Sequence, residues 1–148
     1  YKDEKGLSLV MNIGESITQL IFIGDGEYLY SRDLSIAGKS FTEQISSDLN
    51  KNFLESEKLK ILSVENQNNC PKEVLNCLTS KVIELNQEVK VTIEYFLNNK
   101  DLSKNFEKID SIKLSGGASL TYSLSQVLSE SFKKALEGCS NNRRHKES

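Results

Sequence analysis

The sequence predicts an α/β domain, a mixed sheet with helices packed on it, in the order β-β-β-α-α-α-β-α. Three observations predict it. Residues 7–36 fall into three β-rich segments separated by glycines. Residues 72–98 repeat apolar side chains at three- and four-residue steps. A short apolar segment at 109–114 runs into Ser115-Gly116-Gly117-Ala118 before a final helical pattern. Pairing that late strand with the first requires a long crossover, and the intervening helices supply it.

Leu7 to Ile13 is a near-continuous apolar run, the pattern of a strand buried on both faces. Gly14-Glu15-Ser16 breaks it. Ile17 to Ile23 is rich in β-branched residues, and Gly24-Asp25-Gly26 is a tight turn in which glycine reaches positive φ without a Cβ clash. Glu27 to Ile36 returns, with Tyr28, Tyr30, Leu34 and Ile36 at even spacing on one face. Ala37-Gly38-Lys39 ends that strand. Ser40-Phe41-Thr42-Glu43 has a capping-box pattern that makes Ser40 the N-cap of a helix whose stripe is Phe41, Ile45, Leu49 and Phe53. A second short helix is expected over 54–62 and a polar loop over 64–69. Pro71 fits the first turn of a long helix carrying Leu75, Leu78, Val82, Leu85, Val89, Ile93 and Phe96, closed by Asn98-Asn99-Lys100-Asp101. Its partial heptad reads as packing on the sheet rather than a coiled coil, since Thr92 interrupts the second seam. The last helix is expected to carry Leu120, Leu124, Val127, Leu128, Phe132 and Leu136, with Gly138 as its terminator.

A length of 148 residues suits one domain, expected over 1–139 with a helical subdomain at about 40–70 and a polar tail at 140–148. Charge is balanced at −2, which gives no basic footprint for nucleic acid and no polybasic membrane patch. No apolar run approaches the ~20 residues of a membrane span. Cys70, Cys77 and Cys139 form no Cys-x-x-Cys, so free thiols in a reduced cytosolic setting are expected. The one histidine, His145, lies in the polar tail, so neither a zinc site nor a histidine-based hydrolase is indicated. The start at Tyr1-Lys2-Asp3 reads as a piece of a longer protein.

Three segments are candidates for chemistry. In Asn12-Ile13-Gly14-Glu15-Ser16-Ile17-Thr18, Gly14 lets the backbone approach an oxyanion. Ser16 and Thr18 can donate to phosphate, and Asn12 can orient a water. The bland alternative is a plain hairpin with a glycine, and from this segment alone it is the stronger reading. Gly116 and Gly117 sit at a strand exit before a helix, where α/β sheets receive flat rings or phosphates, or simply make a tight turn. Glu57 and Lys60 form an i,i+3 pair. Taken alone it is a solvated surface pair worth ~0.2–0.5 kcal/mol, although Lys60 could reach a ribose or phosphate.

Taken in order, these segments resemble the second half of an actin-like ATPase, most closely the PilM-type type IV pilus assembly proteins, relatives of the division protein FtsA. Leu9 through Thr18 resembles that family's second phosphate loop. Asp25-Gly26, Tyr30-Ser31-Arg32, Ile36-Ala37-Gly38 and Phe41-Thr42-Glu43-Gln44-Ile45 follow in its usual succession. Ser56-Glu57-x-Leu59-Lys60 resembles its Ala-Glu-x-x-Lys helix. Glu88, Ile93, Tyr95 and Phe96 fall where its long helix has Glu, an aliphatic and an aromatic pair. Ile109 to Gly117 resembles its adenosine motif, and Leu124 to Phe132 the helix after it.

The resemblance implies a ribonuclease-H-like fold, one of two lobes that clasp ATP with Mg²⁺ in the intact parent. It implies that Gly14 and Thr18 touch the β/γ-phosphates and that Gly38 lines the cleft. Glu57 and Lys60 would then face the ribose and adenine, and Gly116 and Gly117 approach the nucleoside. Implied partners are the other lobe and the inner-membrane platform of the pilus machine, with a cytoplasmic location peripheral to that membrane. Asn12 stands where actin-like ATPases usually carry an aspartate, and Ala37 replaces the first of two glycines. The expectation is therefore a half-site that is not catalytic alone. Two other readings stay open: a nucleotide-free protein–protein interaction module, and a lobe of another actin-like ATPase such as an FtsA-type division protein.

Overall fold

The computed structural model describes residues 5–132. Strands β1 (Leu7–Ile13), β2 (Thr18–Gly24) and β3 (Glu27–Leu34) form an antiparallel meander. Helices α1 (Gly38–Leu49), α2 (Phe53–Glu65), α3 (Lys72–Asn98) and α4 (Lys100–Ser103) follow, with a 3-10 turn at Gln67–Asn69. β4 (Ser111–Ser115) then pairs parallel to β1, and α5 (Leu124–Ser131) comes last. The sheet order is β3-β2-β1-β4, so the long helical crossover is required as expected.

β1 is the centre of the molecule. Leu7, Leu9, Met11 and Ile13 are fully buried and join one core with Leu20 and Phe22 of β2, Ile112 of β4 and the inner faces of the helices. Ser8 and Val10, on the opposite face, are buried as well, which explains the unbroken apolar run. α3 supplies Val74, Leu78, Val82, Leu85, Val89 and Phe96 to this core. Phe96 stacks on Phe22 with ring centroids 4.1 Å apart, and Tyr30 flanks both rings. Thr92, which breaks the heptad, is buried because it is used: Arg32 Nη1 donates to its Oγ1 (2.7 Å) while Arg32 Nη2 reaches Glu88 (3.3 Å). α3 packs on the sheet.

Several boundaries differ from expectation, each for a local reason. Asp25 (φ 49°) and Gly26 (φ 83°) are both left-handed, so the expected tight turn is a two-residue hairpin of the I′ kind. A register shift opposite Phe22/Ile23 interrupts the alternation of β3. Phe22 pairs with Tyr30 but Ile23 with Tyr28, and this turns Tyr28 outward at 66% exposure. β3 also ends at Leu34, short of Ile36. Ser40 is not the N-cap of α1. Ala37 holds that position, and Ser40 lies three residues inside, its Oγ accepting the Ala37 N–H at 3.0 Å. The stripe of α1 stops before Phe53, because Asn50 turns left-handed (φ 52°) and Asn52 caps α2 through the Glu55 N–H (2.8 Å).

α2 runs past the expected 62 and two residues into the segment expected as loop, ending at Glu65. The helix expected from Leu120 starts only at Leu124, after a turn held by Thr121 Oγ1 donating to the Ala118 carbonyl (2.7 Å). Leu120 is therefore 73% exposed. The short α4 was not foreseen. Leu136, Gly138, Cys139 and the 140–148 tail lie outside the described residues.

Replacing Phe96 with Ala removes a fully buried ring from the centre of the core. It should cost ~3–5 kcal/mol in urea-induced unfolding. Cys77 is buried, and that burial, followed by a hydrogen bond to Asp48, pushes its thiol up from 9.0 to about 11. Between those values the unfolded chain has lost a proton that the folded chain retains. The stability from Cys77 is thus whole below pH 9 and lost as pH rises towards 11. The stability gap between the wild type and Cys77→Ala, read from urea midpoints, should shrink over that range.

Candidate functional site

The parallel register sets Asn12 opposite Ser115, so the exits of β1 and β4 lie side by side. The turn after β1 is closed by the Gly14 N–H donating to the Ile17 carbonyl (3.0 Å). Two neighbours hook onto it. From the start of α1, the N–H of Gly38 donates to the Gly14 carbonyl (2.9 Å) and that of Lys39 to the Glu15 carbonyl (2.7 Å). From the turn after β4, the N–H of Ala118 donates to the Ile13 carbonyl (3.0 Å).

Two glycines make this closeness possible. Gly116 has φ +95°, and a Cβ there would collide with the Ile13 carbonyl oxygen and lie 2.7 Å from Asn12 Oδ1. A Cβ on Gly38 would lie 2.7 Å from Glu15 Oε2 and 3.3 Å from the Gly14 oxygen. Gly117 faces open space.

α2 is pinned over α1 by a polar chain. The buried Thr42 donates to Glu57 Oε1 (2.8 Å), Lys60 lies 3.6 Å from the same oxygen, and its Nζ donates to the Gly38 carbonyl (3.0 Å). A shared acceptor and partial burial make this more than the solvated pair the spacing alone suggests. Between α2 and the two turns lies a cavity of about 250 Å³. Glu15 and Lys60 line one part of its wall, Ile61, Val64 and Leu120 give it apolar surface, and Gly117 borders it.

The structure therefore brings together Asn12, Gly14, Gly38, Lys60, Gly116 and Gly117. Glu57 stands behind Lys60 as its anchor. Ser16 is exposed at the tip of the turn. Thr18 is not presented to the cleft: it is fully buried, and its hydroxyl donates to the Ile36 carbonyl (2.7 Å), fixing the approach to α1. Periodicity carries no signal for Glu15, which enters the site only because α1 folds back onto the turn. Ile61, Val64 and Leu120 were equally hidden, since exposed apolar residues are common on any surface.

The sequence matches the family model described as type IV pilus assembly protein PilM over residues 2–137. The chain belongs to the PilM family. No curated protein matches it at a significant level. Among solved structures it resembles a PilM–PilN type IV pilus biogenesis complex with a TM-score of 0.74 at 24% identity, covering 90% of this chain and 35% of that one. It also resembles the ethanolamine utilization protein EutJ of Carboxydothermus hydrogenoformans (TM-score 0.67, 16% identity, 88% of this chain and 43% of that one). MreB5 of Spiroplasma citri bound to ADP gives a TM-score of 0.64 at 18% identity, over 92% of this chain and 49% of that one. This PilM-family chain has the actin-like, ribonuclease-H-like fold, and it spans less than half the length of the structures it matches.

Gly116→Ala should cost more than the ~1 kcal/mol of a simple backbone mismatch, because the methyl group meets backbone as well as an unfavourable φ. A thermal melt with circular dichroism reads the loss. Gly117→Ala, which meets nothing within 4 Å, should stay within ~0.5 kcal/mol of wild type.

Proposed function

We propose that this chain is the nucleotide-facing lobe of a PilM-like scaffold in type IV pilus assembly, holding the nucleoside side of ATP in a parent with two lobes. The single observation behind the reading is the convergence of three segments, the β1 turn, α2 and the β4 exit, on one cavity with an apolar wall, one lysine held by the start of α1, and the carboxylates of Glu15 and Glu65. The residues fit the nucleoside better than the metal. Ile61, Val64 and Leu120 offer apolar surface to a base, Lys60 offers a cation, and Gly117 admits close approach. Towards Mg²⁺ the turn offers one carboxylate, Glu15, and the neutral amide of Asn12. When bound, Mg²⁺ would screen the charge of the phosphates. The proposed role is binding rather than hydrolysis by this lobe alone.

Pilus platform proteins are the proposed partners, since the solved PilM relative was captured in a complex with PilN. Attachment to the inner membrane would run through them. No helix among the described residues is long and apolar enough to cross a membrane. A nucleotide-free interaction module is the second reading, favoured by one observation: the Thr18 hydroxyl and the Lys60 ammonium already have partners inside the lobe.

Titrating ADP into the isotope-labelled chain should shift the backbone amides of Lys60, Ile61, Val64, Gly117 and Thr121. Lys60→Ala should weaken the affinity by about tenfold, or ~1.4 kcal/mol. Shifts confined to the separate groove of Leu49, Leu59 and Val74, or none at all, would defeat the nucleotide reading. ATP turnover by the isolated chain at enzyme-like rates would defeat the non-catalytic assignment.

A further inference from the structure

Thr42 is fully buried on α1 and does not line the cavity. It nevertheless belongs to a closed ring of polar contacts, one member of which is in the cavity wall. Thr42 lies one turn after Gly38, where a helical threonine hydroxyl comes near the carbonyl four residues back (3.4 Å). Its one proton goes to the closer and charged acceptor, Glu57 Oε1, at 2.8 Å. Glu57 and Lys60 are three residues apart on α2, and Lys60 Nζ lies 3.6 Å from that same oxygen. Lys60 Nζ donates to the Gly38 carbonyl (3.0 Å), which closes the ring.

The ring fixes the one cation that lines the cavity. The other charged lining residues are the carboxylates Glu15 and Glu65. Among the described residues Lys60 is ion-paired with Glu57 and with neither of these two. A lysine side chain is a point charge on a flexible stem, and nothing in its own chemistry selects one carboxylate over another. The ring makes that selection. An ammonium has three protons. The Gly38 carbonyl and Glu57 face two of them, and the third is left to a ligand.

On the nucleotide reading of this cavity, we propose that Thr42 is a positioning residue: its hydroxyl orients Glu57, and Glu57 holds the Lys60 ammonium where its third proton meets the bound nucleotide. Without that hydroxyl, Glu57 Oε1 is left with the ammonium alone. The two charges then draw together, and Lys60 leaves its place at the wall. The effect on the ligand runs through Lys60, because neither Thr42 nor Glu57 lines the cavity.

The test titrates ADP into the full chain, Thr42→Val, Thr42→Ser, Lys60→Ala and the double variant Thr42→Val/Lys60→Ala, with affinities read from amide shifts at Gly117 and Thr121. Thr42→Val keeps the shape and removes the hydroxyl, whereas Thr42→Ser retains it. Thr42→Val should weaken ADP binding about three- to fivefold, the scale of one hydrogen bond. Thr42→Ser should stay within about twofold of wild type. With Lys60 already replaced by Ala, adding Thr42→Val should change the affinity by less than about 1.5-fold, since the two act as one unit. Equal losses from Thr42→Val with and without Lys60 mark a purely structural residue. No loss from Thr42→Val while Lys60→Ala weakens binding means that Lys60 does not need the ring. Either result overturns the proposal and leaves the nucleotide reading standing. If ADP shifts no amide in the wild type, both fall together. Where a thermal melt shows that Thr42→Val does not fold, Thr42→Ala is titrated in its place and read in the same way.

Discussion

The structure depends on one pairing, β1 beside β4 in parallel register. Antiparallel contacts could build the meander alone, but a three-stranded sheet would leave one edge of β1 open and its apolar run half covered. Parallel pairing closes that edge. Because two parallel strands cannot be joined by a tight turn, it also requires a long connection, and α1 to α4 are that connection. The helices then cover the face that Leu7, Leu9, Met11 and Ile13 present. The same register delivers Asn12 and Ser115 to one end of the sheet. Core and candidate site are consequences of a single choice of strand neighbours.

Much of this was legible because buried surface leaves periodic marks. The strand of seven residues with six buried reads as a continuous apolar run, and the 27-residue helix repeats its apolar face throughout. A parallel late strand follows from the crossover rule. The departures have a different origin. The outward Tyr28 results from a register shift between two strands, and nothing within the one strand encodes it. Ser40 satisfies an amide of the N-cap from inside the helix, using the same residue types as the mirror arrangement. In such cases the pattern limits the set of hydrogen bonds without choosing the helix start.

The site shows a similar division. Glycines mark places where backbones meet closely, and Gly38 and Gly116 do occupy such places. A hydroxyl in a motif says less about its use. Thr18 fits a phosphate-loop pattern, yet its hydroxyl is spent on the Ile36 carbonyl, where a buried donor needs a partner. Membership of the PilM family explains why the motifs occur in this order, whereas the hydrogen bonds determine which of them face the cavity.

The hooks around the β1 turn limit what it can offer a ligand. The amides of Gly14, Gly38, Lys39 and Ala118 all donate to carbonyls of the turn or its neighbours. None of these four is left to donate to an incoming oxyanion unless the turn opens, and opening it would cost the contacts that hold β1, α1 and β4 together. Rigidity of the turn and recognition through these amides are therefore in competition, and in this structure rigidity has won. What remains to the cavity is shape, the apolar surface of Ile61, Val64 and Leu120, and the charges of Glu15, Lys60 and Glu65. In a lobe built this way, side chains rather than turn amides are what the cavity has available for any contact.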